Sequence, residues 1–119
     1  MKILIIEDNP DIEEVLDYIL KDEGHEVIQA SDALLLNQLD SLQPDLILMD
    51  EILVNLRGSV LIKGLKADPE THHIPVILIS AMPNLRDIAE ECGADAYLEK
   101  PFDITTITDL VENFILKPL

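Results

Sequence analysis

The sequence has one cysteine, Cys92, which excludes an internal disulfide and any zinc site built from several cysteines. A lone thiol suits a reducing compartment. Basic side chains are scarce: eight Lys and Arg stand against 24 Asp and Glu, a formal net charge of −16 at pH 7. Nucleic-acid binding runs on Lys and Arg displacing counterions, so this charge argues strongly against direct binding of nucleic acid, and none is expected. Anionic membrane surfaces are disfavoured for the same reason. No apolar run approaches the roughly 18 residues that suggest a membrane span. The start, MKILIIEDNPD, turns acidic too soon for a secretory signal. There is no repeat, no low-complexity stretch and no internal linker. These absences lead us to expect one cytoplasmic domain over residues 1–119, with no membrane contact and no output domain.

What is present is a globular composition, 48 % hydrophobic and 27 % charged over 119 residues. Short apolar runs alternate with helical patterns. Ile3–Ile6 is a β-branched run closed by EDNPD and reads as a buried strand. Ile12, Val15, Leu16, Ile19 and Leu20 recur at helical spacing, and Gly24 marks the stop. Val27 and Ile28 lie in a second strand. Ser31 or Asp32 can cap a second helix with Leu35, Leu39 and Leu42 inward, ended by Pro44. Residues 45–50 (DLILMD) form a third strand. A third helix opens near Gly58, carries Leu61, Ile62 and Leu65, and stops at Asp68-Pro69. Residues 75–80 (PVILIS) form a fourth strand. Leu85, Ile88, Ala89 and Cys92 mark a fourth helix ended by Gly93. Asp95–Leu98 is a short fifth strand, and Ile104, Ile107, Leu110, Val111 and Phe114 mark the last helix.

Continuous apolar strands separated by amphipathic helices imply a parallel sheet covered on both faces. The expected fold is α/β: a flavodoxin-like doubly wound (βα)5 domain with a five-stranded parallel sheet in the order 2-1-3-4-5. Such sheets bind ligands at the carboxyl ends of their strands, at the switch point beside strand one.

That rule names the residues to inspect. Strand one ends in Glu7 and Asp8, strand three in Asp50, strand four in Ser80, and strand five leads into Lys100-Pro101. Three carboxylates meeting at one rim repel each other unless a cation intervenes. Oxygen ligands suit a hard ion such as Mg²⁺. A lysine and a hydroxyl suit the outer oxygens of a phosphoryl group. Each feature alone has a plainer reading. Glu7-Asp8 would cap the first helix, Asp50-Glu51 would be a solvated strand end, Ser80 an ordinary hydroxyl, Lys100 a surface lysine and Tyr97 a half-buried aromatic. His72 and His73 read as loop residues, and Cys92 as a packed small side chain with no histidine to activate it. The joint order of the rim residues is the specific signal.

In that order the sequence resembles the receiver domains of response regulators, the phosphoaccepting, chemotaxis-regulator-like modules of two-component signalling. The stretches that carry the resemblance are ILIIEDNP, PDLILMDEIL with Arg57-Gly58, ADPETHHIPVILISA and GADAYLEKPFD. The resemblance implies that Asp50 is the phosphoacceptor. It implies that Asp8, Glu7, Asp50 and the backbone carbonyl of Ile52 surround Mg²⁺. Ser80 and Lys100 would hold the phosphoryl group, and Ser80 and Tyr97 would switch together. The implied partners are a histidine kinase or phosphotransfer protein upstream, and a downstream protein or a lost output domain. A homodimer formed on phosphorylation is compatible with the family. Partners would read the face between the fourth and fifth helices.

Two stretches depart from the family pattern. Leu53-Val54 stands where Met-Pro is familiar, so the loop after Asp50 lacks a stiffening proline and is unusually apolar. The stretch from Ser80 to Lys100 is short, which predicts a short or shifted fourth helix. Other functions fit less well. An aspartyl phosphotransferase that turns over often carries a second acid two residues on, and here that position is Ile52, so no turnover beyond self-phosphorylation and self-dephosphorylation is expected. A flavodoxin-like cofactor binder needs a Ser-, Thr- or Gly-rich phosphate loop in place of EDNPD. The remaining alternative is a receiver fold that takes no phosphate and serves as a protein-interaction module.

Overall fold

The computed structural model describes residues 1–30 and 33–115. The chain runs β1 (Lys2–Ile6), α1 (Pro10–Asp22), β2 (Glu26–Ala30), a 3₁₀ helix (Ala33–Gln38), α2 (Leu39–Leu42), β3 (Leu46–Asp50), β4 (Ile52–Leu53), β5 (Leu56–Arg57), α3 (Gly58–Ala67), β6 (Val76–Ser80), α4 (Leu85–Cys92), β7 (Ala96–Glu99) and α5 (Ile104–Ile115). The main sheet has the order β2-β1-β3-β6-β7, and every pairing in it is parallel. This is the 2-1-3-4-5 doubly wound arrangement that the sequence predicts.

The physical cause lies in the strands. β3 and β6 are buried at every position, so both of their faces need cover. On one face Ile3, Ile5, Leu48, Ile77 and Ile79 pack with Leu16 and Leu20 of α1 and Ile107 and Val111 of α5. On the other, Leu4, Ile6, Ile47, Met49 and Leu78 pack with Leu39, Ile62, Leu85, Ala89 and Cys92. Cys92 is buried there, its Sγ is 3.5 Å from the Ala89 carbonyl, and burial pushes its thiol pKa up. It packs as one of the apolar side chains of that face. The helix ends carry local signals. Asn9 caps α1 by accepting from the Asp11 and Ile12 N–H groups, and Pro10 sits in the first turn. Gly24 and Gly93 take positive φ after α1 and α4. Among the described residues no helix is long and apolar enough to cross a membrane.

One expectation needs correction, and one loop left open by the sequence takes a definite form. The second helix is not a continuous α-helix but a six-residue 3₁₀ segment followed by one α turn. Leu36 and Leu39 lie three residues apart and both meet the core, a spacing that a 3₁₀ turn stacks on one side. Leu34 is mostly exposed. The expected caps, Ser31 and Asp32, lie outside the described residues. The stretch after Asp50 is a two-stranded hairpin, with Ile52 opposite Arg57 and Leu53 opposite Leu56. Asn55 supplies the positive φ for the turn without any proline. Leu53 packs into the core, while Ile52 and Val54 remain exposed. As the sequence predicts, α4 is short, at eight residues.

Candidate functional site

The carboxyl ends of β1, β3 and β7 meet on one side of the sheet. Strand side chains alternate with a period of two. Glu7 therefore continues the row of Ile3 and Ile5, Asp50 that of Leu46 and Leu48, and Lys100 that of Leu98. The ladder runs on past the strand ends to hold this row, since Glu7 N–H donates to the Ala30 carbonyl and Lys100 N–H to that of Ser80. Residues 93 places apart in the chain thereby touch. Lys100 Nζ donates to Glu7 Oε1 at 2.9 Å and to Asp50 Oδ1 at 3.1 Å.

Asp8 completes the group from the loop after β1. Ligand atoms of Glu7, Asp8 and Asp50 all lie within 4.8 Å of one another. Glu7 and Asp50 are buried, and Asp8 is half-buried. The donor set is oxygen throughout, as a hard divalent cation requires. One atom fits such an ion in particular: Glu7 Oε2 is buried without a hydrogen-bond partner. An orphaned buried carboxylate oxygen is costly, and a cation beside it would remove the cost.

The electrostatics follow from crowding. Burial, then the neighbouring Asp50 carboxyl, raise the Glu7 pKa from 4.5 to about 7, against the opposing pull of Lys100. Burial by itself would lower the Lys100 pKa, but its bond to Glu7 and the charge of Asp50 outweigh this and leave it raised. The folded pKa of Glu7 lies above its unfolded value, so its stabilising contribution is complete below about pH 4.5 and is lost as pH rises through about 7. In the metal-free protein, stability should therefore fall between about pH 5 and about pH 8 by ~2 kcal/mol from this group. Denaturant titrations in the presence of a chelator measure this, and Glu7→Gln should flatten the profile. A profile that keeps its slope in the variant would remove Glu7 as its cause.

The other expected residues stand around this core. Ser80 is buried at the end of β6, and its hydroxyl oxygen accepts from Met82 N–H at 3.0 Å, which leaves its own proton to donate. It belongs to the opposite row, that of Leu78. Tyr97 lies opposite Leu78 on β7 and is 42 % exposed. Ile52 opens the hairpin directly after the Asp50-Glu51 pair. His72 and His73 lie in an exposed turn. The plainer readings of a solvated Asp50-Glu51 strand end and of a surface Lys100 are overturned. Both acids are buried, and Lys100 is half-buried between two carboxylates. Sequence reasoning gave Glu51 no role beyond that solvated strand end. Its one available signal was Arg57, a residue unable to cap, at the start of a helix that needs a cap.

Comparison with known proteins agrees with this geometry. Residues 3–112 match the response regulator receiver domain. The DNA-binding dual master transcriptional regulator RpaA of Synechocystis is 38 % identical over 106 residues, covering 87 % of this chain and 44 % of RpaA. The chain thus spans less than half the length of that relative. Sporulation initiation phosphotransferase F of Bacillus subtilis is 34 % identical over 117 residues, 96 % of this chain and 93 % of that one. Among solved structures, the receiver domain of a sensor histidine kinase from Pseudomonas aeruginosa, with a magnesium ion coordinated in its active-site cleft, superposes with a TM-score of 0.86. It is 26 % identical, and the match covers 98 % of each chain. A family match across nearly the whole chain, carried by the fold expected of it, settles the affiliation: this chain belongs to the response regulator receiver domains of two-component systems.

Proposed function

We propose that this chain is a phosphoaccepting receiver, in which Asp50 takes a phosphoryl group from a histidine kinase or phosphotransfer protein in a Mg²⁺-dependent transfer. The observation that carries the reading is Lys100 Nζ seated between Glu7 and Asp50 beside an orphaned carboxylate oxygen. Glu7, Asp8, Asp50 and the Ile52 carbonyl would hold Mg²⁺. When bound, the ion supplies the positive charge that lets a phosphoryl group enter an acidic cleft.

The protein's own groups do the rest. An Asp50 carboxylate oxygen attacks phosphorus, the bond from phosphorus to the donor's imidazole nitrogen breaks, and the electron pair leaves with that nitrogen. The product is an acyl phosphate on Asp50, later cleaved by water. Lys100 spends two of its three N–H groups on Glu7 and Asp50, so one remains for a phosphoryl oxygen. The Ser80 hydroxyl donates to another. Its reorientation would be felt at Tyr97, and a downstream partner would read the α4–β7–α5 face. This is a local charge event biasing a two-state element. Turnover of an external substrate is not part of the reading. The magnesium in the Pseudomonas receiver and the phosphotransferase name of the Bacillus relative support it.

Intact mass after incubation with acetyl phosphate tests it. A single phosphoryl adduct is expected with Mg²⁺, none with a chelator, and none in Asp50→Asn. Because the ion competes with the Glu7 proton, Mg²⁺ affinity should rise as pH passes through about 7. No adduct, together with no binding of Mg²⁺ or beryllofluoride, would leave a protein-interaction module on a receiver fold.

A further inference from the structure

The residue after Asp50 carries a charge that the proposed chemistry does not use. Glu51 is 0 % exposed, and a carboxylate that deep needs partners. It has them. Its Oε1 accepts from Ser59 N–H at 2.6 Å and its Oε2 from Ser59 Oγ–H at 2.9 Å, with Arg57 Nη1 3.7 Å away. Its backbone is pinned as well. Glu51 N–H donates to the Ile79 carbonyl at 2.9 Å, and the Glu51 carbonyl accepts from Gly58 N–H at 2.8 Å.

These bonds solve a local problem. α3 starts after Arg57, whose side chain makes no capping bond. The first N–H groups of a helix are otherwise orphans, and its N-terminus favours negative charge. Glu51 supplies both acceptors and charge from across the hairpin. The bonds also close the base of β4–β5, which has only two residue pairs of its own and would be marginal alone. Ile52, the expected carbonyl ligand, is the first residue inside that closed base.

We infer that Glu51 is a positioning residue: by clamping the start of α3 to the end of β3, it fixes the Ile52 carbonyl beside Asp50 and so sets the Mg²⁺ affinity of the site without touching the phosphoryl group. The inference rests on the phosphoacceptor reading above. The test is Mg²⁺ titration by calorimetry on the whole chain, paired with acetyl phosphate kinetics at limiting and saturating Mg²⁺. Glu51→Ala should weaken Mg²⁺ binding about 10–100-fold, the range seen for residues that orient metal ligands. Its phosphorylation rate should recover once Mg²⁺ saturates. Glu51→Gln keeps an acceptor for Ser59 N–H and should recover part of the affinity. Ser59→Ala, which retains the backbone bond, should fall between wild type and Glu51→Ala, and it serves as the test if Glu51→Ala does not fold. Wild-type Mg²⁺ affinity in folded Glu51→Ala or Ser59→Ala overturns this inference alone, as does a rate loss that saturating Mg²⁺ fails to restore. Failure of the unaltered chain to bind Mg²⁺ overturns both readings.

Discussion

Lys100→Met should slow the gain of a phosphoryl group by Asp50 roughly 10²–10³-fold, the usual cost of removing one donor aimed at developing charge. Among the described residues, Lys100 is the cation that ion-pairs with both Glu7 and Asp50. Without it the transferring oxygens lose a preorganised partner and Asp50 loses its counter-charge. The same variant has a thermodynamic signature. Lys100 is what lowers the Glu7 pKa against burial and Asp50. Its removal lets that pKa climb beyond about 7, so the stability present at low pH is lost over a wider and higher range. The metal-free variant should lose least near pH 5, where Glu7 is neutral in both and only the Lys100–Asp50 pair is missing. Near pH 8 the loss should be larger by about 2 kcal/mol. Acetyl phosphate kinetics by intact mass and denaturant midpoints at the two pH values measure both effects. An unchanged rate would strip Lys100 of its chemical role. Parallel pH profiles would show that Glu7 does not feel it.

Gly58→Ala should be strongly destabilising for so small a change. A Cβ at Gly58 would overlap the Asp50 carbonyl oxygen and stand 2.9 Å from Met49 Cγ. The first is backbone and cannot swing aside, and the Gly58 N–H is committed to the Glu51 carbonyl. Relief requires the end of β3 or the start of α3 to move, which displaces Asp50 itself. A loss of roughly 3 kcal/mol is expected, together with weaker Mg²⁺ binding. Gly64 in the same helix is the control, because a Cβ there meets nothing within 4 Å. Gly64→Ala should gain about 0.5–1 kcal/mol from helix propensity. Urea midpoints of the two variants should therefore move in opposite directions. A Gly58→Ala midpoint equal to wild type would mean that the close approach does not constrain the fold.

The architecture was legible because each strand is a run such as ILII, LILM or VILI that can rest only where both faces are covered. The helices between them carry amphipathic spacing with glycine or Asp-Pro stops. From that pattern alone, the rule that ligands bind at the carboxyl edge beside strand one put Glu7, Asp8, Asp50, Ser80 and Lys100 on one rim, the end of the sheet where the structure has them. The misses share a cause. The leucines of residues 34–36 fit an α-helical or a 3₁₀ period equally well over so short a span, and packing against the sheet chose the second. The loop after Asp50 lacked the proline that would have marked its path, and an asparagine turn shaped it instead. Glu51 read as solvated because adjacent acids at a strand end usually are. Nothing local shows that Ser59 and Arg57 fold back over it.

The sequence by itself therefore determined the sheet, its order and the rim on which chemistry gathers, because burial periodicity and chain connectivity are local properties read residue by residue. Only the tertiary structure decided which rim groups share a proton, a cation or a hydrogen bond. Strand register brings Lys100 to Glu7 across 93 residues, the hairpin returns Ser59 to Glu51, and burial raises one carboxyl in the cluster to about 7. Pair distances and desolvation set those energies, and both come into being only when distant segments meet.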